Sequence, residues 1–172
     1  GKELLFEGDS QAKIINYGTI EALEGNVVLI GRWIEALGDI SAPKGQFAAA
    51  AGGKVLLKPD GFPLLSILTS STRDGFFSCE GTIEAMKAEL HAEGGTYSYA
   101  MNLEGTISAL NPIEHEGKIY LSAESIVTQP KALLNAPQGE IAIETRGTLY
   151  HLGTLSAKEG KIDIALSNDT GL

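Results

Sequence analysis

The 172-residue chain carries 13 Lys and Arg against 22 Asp and Glu, a formal net charge of −9, which argues against nucleic acid and anionic membrane surfaces as partners. Cys79 is its single cysteine, so an intrachain disulfide and any multi-cysteine metal centre are excluded, and no apolar run approaches the roughly 18 residues of a membrane span. Apolar residues at 43% and 21 glycines spread without a triplet period point to a soluble chain of many short strands rather than a collagen-like one.

The opening GKELLFEGDS does not have the order of a signal peptide, and Gly1 reads as a cut or added start. From Tyr17 the stretch YGTIEALEGNVVLIG introduces two phrases that return along the chain. Gly-x-Ile/Leu-x-Ala starts at Gly18, Gly38, Gly81, Gly105 and Gly153, in steps read as one, two, one and two units. Gly-x-apolar-x-apolar starts at Gly25, Gly45, Gly117, Gly139 and Gly160, in steps read as one, three, one and one. Both series span the same length of chain in six units, which sets the unit at roughly 22 residues.

Each unit has too little apolar surface to fold alone, so the units are expected to stack. In GKIDIAL, Ile162 and Ile164 alternate with Lys161 and Asp163, the pattern of a strand with one covered face. Stacking would align Ile20, Ile40, Ile83, Ile107 and Leu155 in one inward column, and Val27, Phe47, Ala88, Ile119, Ile141 and Ile162 in a second. Leu29, Ala49, Leu90, Leu121, Ile143 and Ile164 would form a third. A leucine-rich repeat lacks its fixed Asn or Cys here. The expected fold is all-β, a right-handed parallel β-helix (solenoid) of about 7–8 coils of 20–24 residues, forming a single domain over 1–172, with glycines supplying unusual corner dihedrals. Residues 82–93 have helix formers, but their alternation favours a strand, and 58–63 and 110–116 are expected as loops.

Residues 15–57 and 96–123 resemble the β-helical repeats of the filamentous-haemagglutinin family, the exoproteins of two-partner secretion. The phrases that carry the resemblance are INYGTIEALEGNVVLIG, GDISAPKGQFAAAAGGKVLL, TYSYAMNLEGTISA and EGKIYLSA. The family's Asn-Pro-Asn-Gly or Asn-Pro-Asn-Leu motif is not present, since Asn111-Pro112 is followed by Ile113 and Glu114, so the fragment is expected to begin after it. The resemblance implies a non-enzymatic segment of a secreted or bacterial cell-surface adhesin, exported through an outer-membrane two-partner transporter, with a host-cell or glycan receptor as partner. The alternatives are the shaft of a contact-delivered toxin and a β-helical carbohydrate-active enzyme. Cut ends of such a stack would expose strand edges, so end-to-end self-association is also expected.

The chemical candidates are few. His91 and His115 lie one unit apart, each with Glu neighbours, and are the candidate metal ligands. A solvated pair on an acidic face is the favoured reading of them, so neither a metal site nor a cofactor is assigned. Cys79 follows Phe76, Phe77 and Ser78 and reads as a buried, inert thiol. The outward columns Glu21, Ser41, Glu84, Ser108, Ser156 and Val28, Ala48, Glu89, Tyr120, Ala142, Asp163 do not group acids with arginine as a lyase or glycosidase cleft would. For a sugar-binding face the aromatic stock is Trp33, Phe62, Tyr97, Tyr99, Tyr120 and Tyr150.

Overall fold

Runs in which every second residue is apolar, broken by Gly, Asn or Pro, give short strands with one covered face. The computed structural model describes residues 1–68, 74–94, 99–111 and 116–166, and these residues form nineteen strands, numbered along the chain, in three sheets. The first sheet joins β1 (Leu4–Glu7), β7 (Lys54–Leu57) and β8 (Leu65–Ile67), all antiparallel. The second is six-stranded and parallel: β2 (Lys13–Asn16), β5 (Trp33–Ala36), β9 (Phe76–Cys79), β11 (Met101–Leu103), β14 (Ile126–Thr128) and β17 (Leu149–His151).

The third sheet is ten-stranded and parallel, and consists of two ladders that share their longest strands. One ladder runs through β3 (Thr19–Glu21), β6 (Asp39–Ala51), β10 (Thr82–Ala92), β12 (Thr106–Ala109), β15 (Leu133–Asn135) and β18 (Thr154–Ser156). The other runs through β4 (Val27–Gly31), β6, β10, β13 (Lys118–Ala123), β16 (Glu140–Thr145) and β19 (Lys161–Leu166). Residues 82–93 thus contribute a strand rather than a helix.

In-register pairing turns the alternation into a core. Ile20, Ile40, Ile83, Ile107, Leu134 and Leu155 succeed one another along the first ladder. Val27, Phe47, Ala88, Ile119, Ile141 and Ile162 do so along the second, with Leu29, Ala49, Leu90, Leu121, Ile143 and Ile164 two residues further on. Ile14, Ile34, Phe77, Met101, Ile126 and Leu149 face them from the six-stranded sheet. The middle of each column is buried, and each large aliphatic side chain there stabilises the fold by about 1.5–3 kcal/mol. Ile20, Leu29 and Leu155 are only partly covered. Ile162 and Ile164 are 41% and 52% exposed, because β19 is the outermost rung and no described strand lies over it.

The expectation of a right-handed parallel β-helix of 7–8 coils is overturned on two counts. The chain divides among several sheets, one of them antiparallel and outside the ladders, and each ladder has six rungs among the described residues. The source of the miscount is specific. The interval from Gly38 to Gly81 reads as two units, yet β6 pairs directly with β10, so it holds one rung plus an excursion into β7 and β8. The interval from Gly45 to Gly117 likewise holds two rungs rather than three. Between those glycines β10 carries Met86 at the place of Gly45 and Gly117, since its Lys87 pairs with Gln46 and Lys118, and the register shifts between Ala85 and Lys87.

The corner glycines are required for a reason other than dihedral freedom, since none of those described lies in the left-handed region. What demands them is the neighbouring rung. A Cβ on Gly38 would lie 2.1 Å from the carbonyl oxygen of Gly18, one on Gly81 1.8 Å from that of Gly38, and one on Gly105 1.9 Å from that of Gly81. Gly45, Gly139 and Gly160 repeat the contact on Gly25, Gly117 and Gly139, at 2.0, 1.9 and 2.2 Å.

Gly81→Ala should therefore lower stability by about 3 kcal/mol, and the thermal midpoint by about 10 °C. Gly18→Ala, with nothing within 4 Å of its added carbon, should change stability by no more than ~0.5 kcal/mol. Equal midpoints for the two variants in a thermal melt would refute the carbonyl-contact argument.

Candidate functional site

The outward face of β4, β6 and β10 is where the chain departs most from a simple stack. In FAAAA, Phe47, Ala49 and Ala51 point into the main core, while Ala48 and Ala50 point outward and are nonetheless fully buried. They meet Val55, Leu64 and Leu65 of the antiparallel sheet and its turn, with Val28, Ile30, Leu57 and Ile67 completing a second, smaller core. Alanine is needed because a larger outward side chain would hold the antiparallel sheet off the ladder. The sequence held a signal for this cover: Val28, Ile30, Ala48 and Ala50 are apolar at outward positions of adjacent rungs.

Beside these alanines the outward column turns polar. Glu89 is fully buried and accepts hydrogen bonds from the backbone N–H groups of Leu64 and Leu65, the latter at 3.2 Å. Its second oxygen also lies 2.6 Å from Nε2 of His91, itself 5% exposed. An ionised carboxylate only accepts, so with Glu89 charged the shared proton sits on Nε2. The His91 ring packs against Tyr120 with centroids 5.4 Å apart, and the Tyr120 hydroxyl donates to Glu144 at 2.8 Å. Burial, and then the Glu144 carboxylate, push the Tyr120 phenol up to about 12.

Two depressions flank this polar row. One, of about 150 Å³, is lined by Ile67, His91, Glu93, Ser122, Glu144 and Arg146 among others. The other, of about 360 Å³, lies between Phe62 of the β7–β8 turn and the outward side chains of β13, β16 and β19.

The structure sorts the sequence candidates. His115 and Tyr97 lie outside the described residues, so the His91–His115 pairing has no geometry to report. His91 is committed to Glu89, and among the described residues no group of three or more His, Cys, Asp or Glu could hold a metal ion. His151, on β17, instead meets Thr128 at 2.6 Å. Cys79 is buried in the main core, and burial pushes its thiol up to about 12. The aromatic stock divides among three places. Trp33 stacks on Phe76 at 4.5 Å with the Lys13 ammonium 4.5 Å from its ring centre, Tyr99 meets Tyr150 edge-on at 6.3 Å, and Phe62 and Tyr120 share the larger depression.

The six-stranded sheet went unread in the sequence, because its strands are only three or four residues long and carry no glycine phrase. Also unread was Arg32, whose side chain is 9% exposed and bonds Asp74 at 2.8 Å and the Gly8 carbonyl at 3.2 Å, tying two distant segments together. Among the described residues no helix is long and apolar enough to cross a membrane. Comparison with family models, curated proteins and solved structures gave no match.

Glu89→Ala would leave two buried amides without their acceptor and should cost about 3–5 kcal/mol in urea unfolding, with faster hydrogen exchange at Leu64 and Leu65. Glu89→Gln retains one acceptor oxygen and should cost less. Native exchange rates in the alanine variant would contradict the role given to this carboxylate. Cys79 should resist a maleimide at neutral pH in the folded protein and react once urea unfolds it. Labelling of the native state would show the thiol to be reachable.

Proposed function

We propose that the chain is a non-enzymatic, structural segment of a larger exported protein of the filamentous-haemagglutinin kind, displayed at a bacterial surface or secreted through an outer-membrane two-partner transporter. The observation that carries this reading is where the chain spends its polar and small residues. Corner glycines serve rung contact, Ala48 and Ala50 admit the outer sheet, and the buried Glu89 holds that sheet's backbone. The Glu89–His91 pair looks like a catalytic dyad, yet its carboxylate is occupied by two backbone amides as well as the imidazole. That is the arrangement of a fastening. The sequence phrases shared with the family add export to this structural role, and a single, buried cysteine suits a protein that crosses oxidising compartments without forming disulfides.

The test is genetic. A transporter gene of the two-partner type should lie beside the gene for this chain. Deleting it in the parent organism should remove the protein from both medium and cell surface, as followed with an antibody raised against the chain. Undiminished surface or medium protein after the deletion would reject the proposal.

A further inference from the structure

The larger depression has a composition that the structural role does not use. Its wall is the Phe62 ring at the tip of the β7–β8 turn, its floor is kept low by Ala142 and Ala165, and polar groups rim it. Lys118 and Tyr120 come from β13, Glu140 and Glu144 from β16, and Asp163 from β19. At about 360 Å³ it falls at the small end of ligand clefts.

Charge and chemistry narrow what could fill it. With Lys118 in the groove and Lys161 and Lys87 beside it, the three carboxylates are balanced locally, so an anion finds no excess of positive charge there and the chain's net charge of −9 disfavours its approach. A purely apolar ligand would strip water from those carboxylates without replacing its hydrogen bonds. A cation would meet ammonium groups already in place: Lys161 pairs with Asp163 at 2.9 Å, and the Lys87 ammonium lies 5.6 Å from the centre of the Phe62 ring. A neutral polyhydroxylated ring satisfies all of these features. Its hydroxyls donate to Glu140, Glu144 and Asp163 and accept from Lys118, while its C–H face lies against an aromatic wall. We propose that this groove binds a neutral saccharide, with Phe62 as the stacking platform and the carboxylates of β16 and β19 reading the hydroxyls. The site comes from a collaboration between sheets, because β7 and β8 bring Phe62 to rungs that come much later in the chain. It does not depend on the export route proposed for the protein.

Saturation-transfer NMR with cellotetraose, maltotetraose and chitotetraose, each at millimolar concentration, tests this directly. At least one should receive saturation, and Phe62→Ala and Asp163→Ala should each weaken it by about tenfold. Circular dichroism would check that the variants are folded. Should Phe62→Ala disturb the turn, Asp163→Ala still reports on the groove, since Asp163 is exposed on the outermost rung. Absence of transfer to all three sugars would overturn the proposal. So would binding that both folded variants retain in full, or binding of spermidine or an acidic oligogalacturonide in place of the neutral sugars.

Discussion

At the corners of this fold, the α-carbon of one glycine lies against the carbonyl oxygen of the glycine in the preceding rung, so closely that no side chain fits between them. Parallel strands pair at a fixed spacing only where their backbones can approach without obstruction. The glycine columns keep that approach open at the point where the chain changes direction. The core follows from it. Once Gly18, Gly38, Gly81 and Gly105 are stacked, the residues two beyond each of them have no option but to stand in line, and Ile20, Ile40, Ile83 and Ile107 do. Gln138 and Glu159, the non-glycine residues with positive φ among the described residues, sit immediately before Gly139 and Gly160, so there the turn strain falls on the residue beside the column.

The antiparallel sheet obeys a different constraint. A β-hairpin laid on the outside of a ladder must bury one apolar face of its own, and it also buries backbone groups that water had been serving. Alanines on β6 answer the first requirement and Glu89 on β10 the second, by accepting two amides from the turn. A buried carboxylate is costly unless its lone pairs are occupied, and here two amides and an imidazole occupy them. The same hairpin sets Phe62 over the later rungs, so one excursion of the chain makes both the second core and the larger groove.

Much of the interior could be read from the sequence because alternation and glycine spacing act locally. Val27, Ile119 and Ile141 announce their column by neighbours two residues away. What could not be read depends on partners far along the chain. The interval between Gly38 and Gly81 has the length of two units, and nothing within it says that β7 turns back on β8 and pairs with β1 instead of joining a ladder. Leu134 belongs to the first inward column, but KALLNAPQG has lost the glycine phrase that would mark it. Glu89 was visible as an outward acid, yet only the hairpin turns it into a buried anchor. Phe62 and Tyr120 were both in the aromatic stock, and their meeting required the same long-range pairing.

The pairing of β6 with β10 has an implication for how such a chain can change length. Their registers match on both sides of a bulge although the whole of β7, β8 and the turn between them intervenes at the corner after Ala51. A ladder of this kind is indifferent to how much polypeptide leaves at a corner, provided it comes back one strand spacing higher. It is intolerant of a single residue gained or lost within a strand, which would turn a buried column outward. Variation should then come in two sizes, whole rungs duplicated or deleted and free-standing insertions at corners, with little in between. The corner after Ala51 marks a natural socket for grafted sequence.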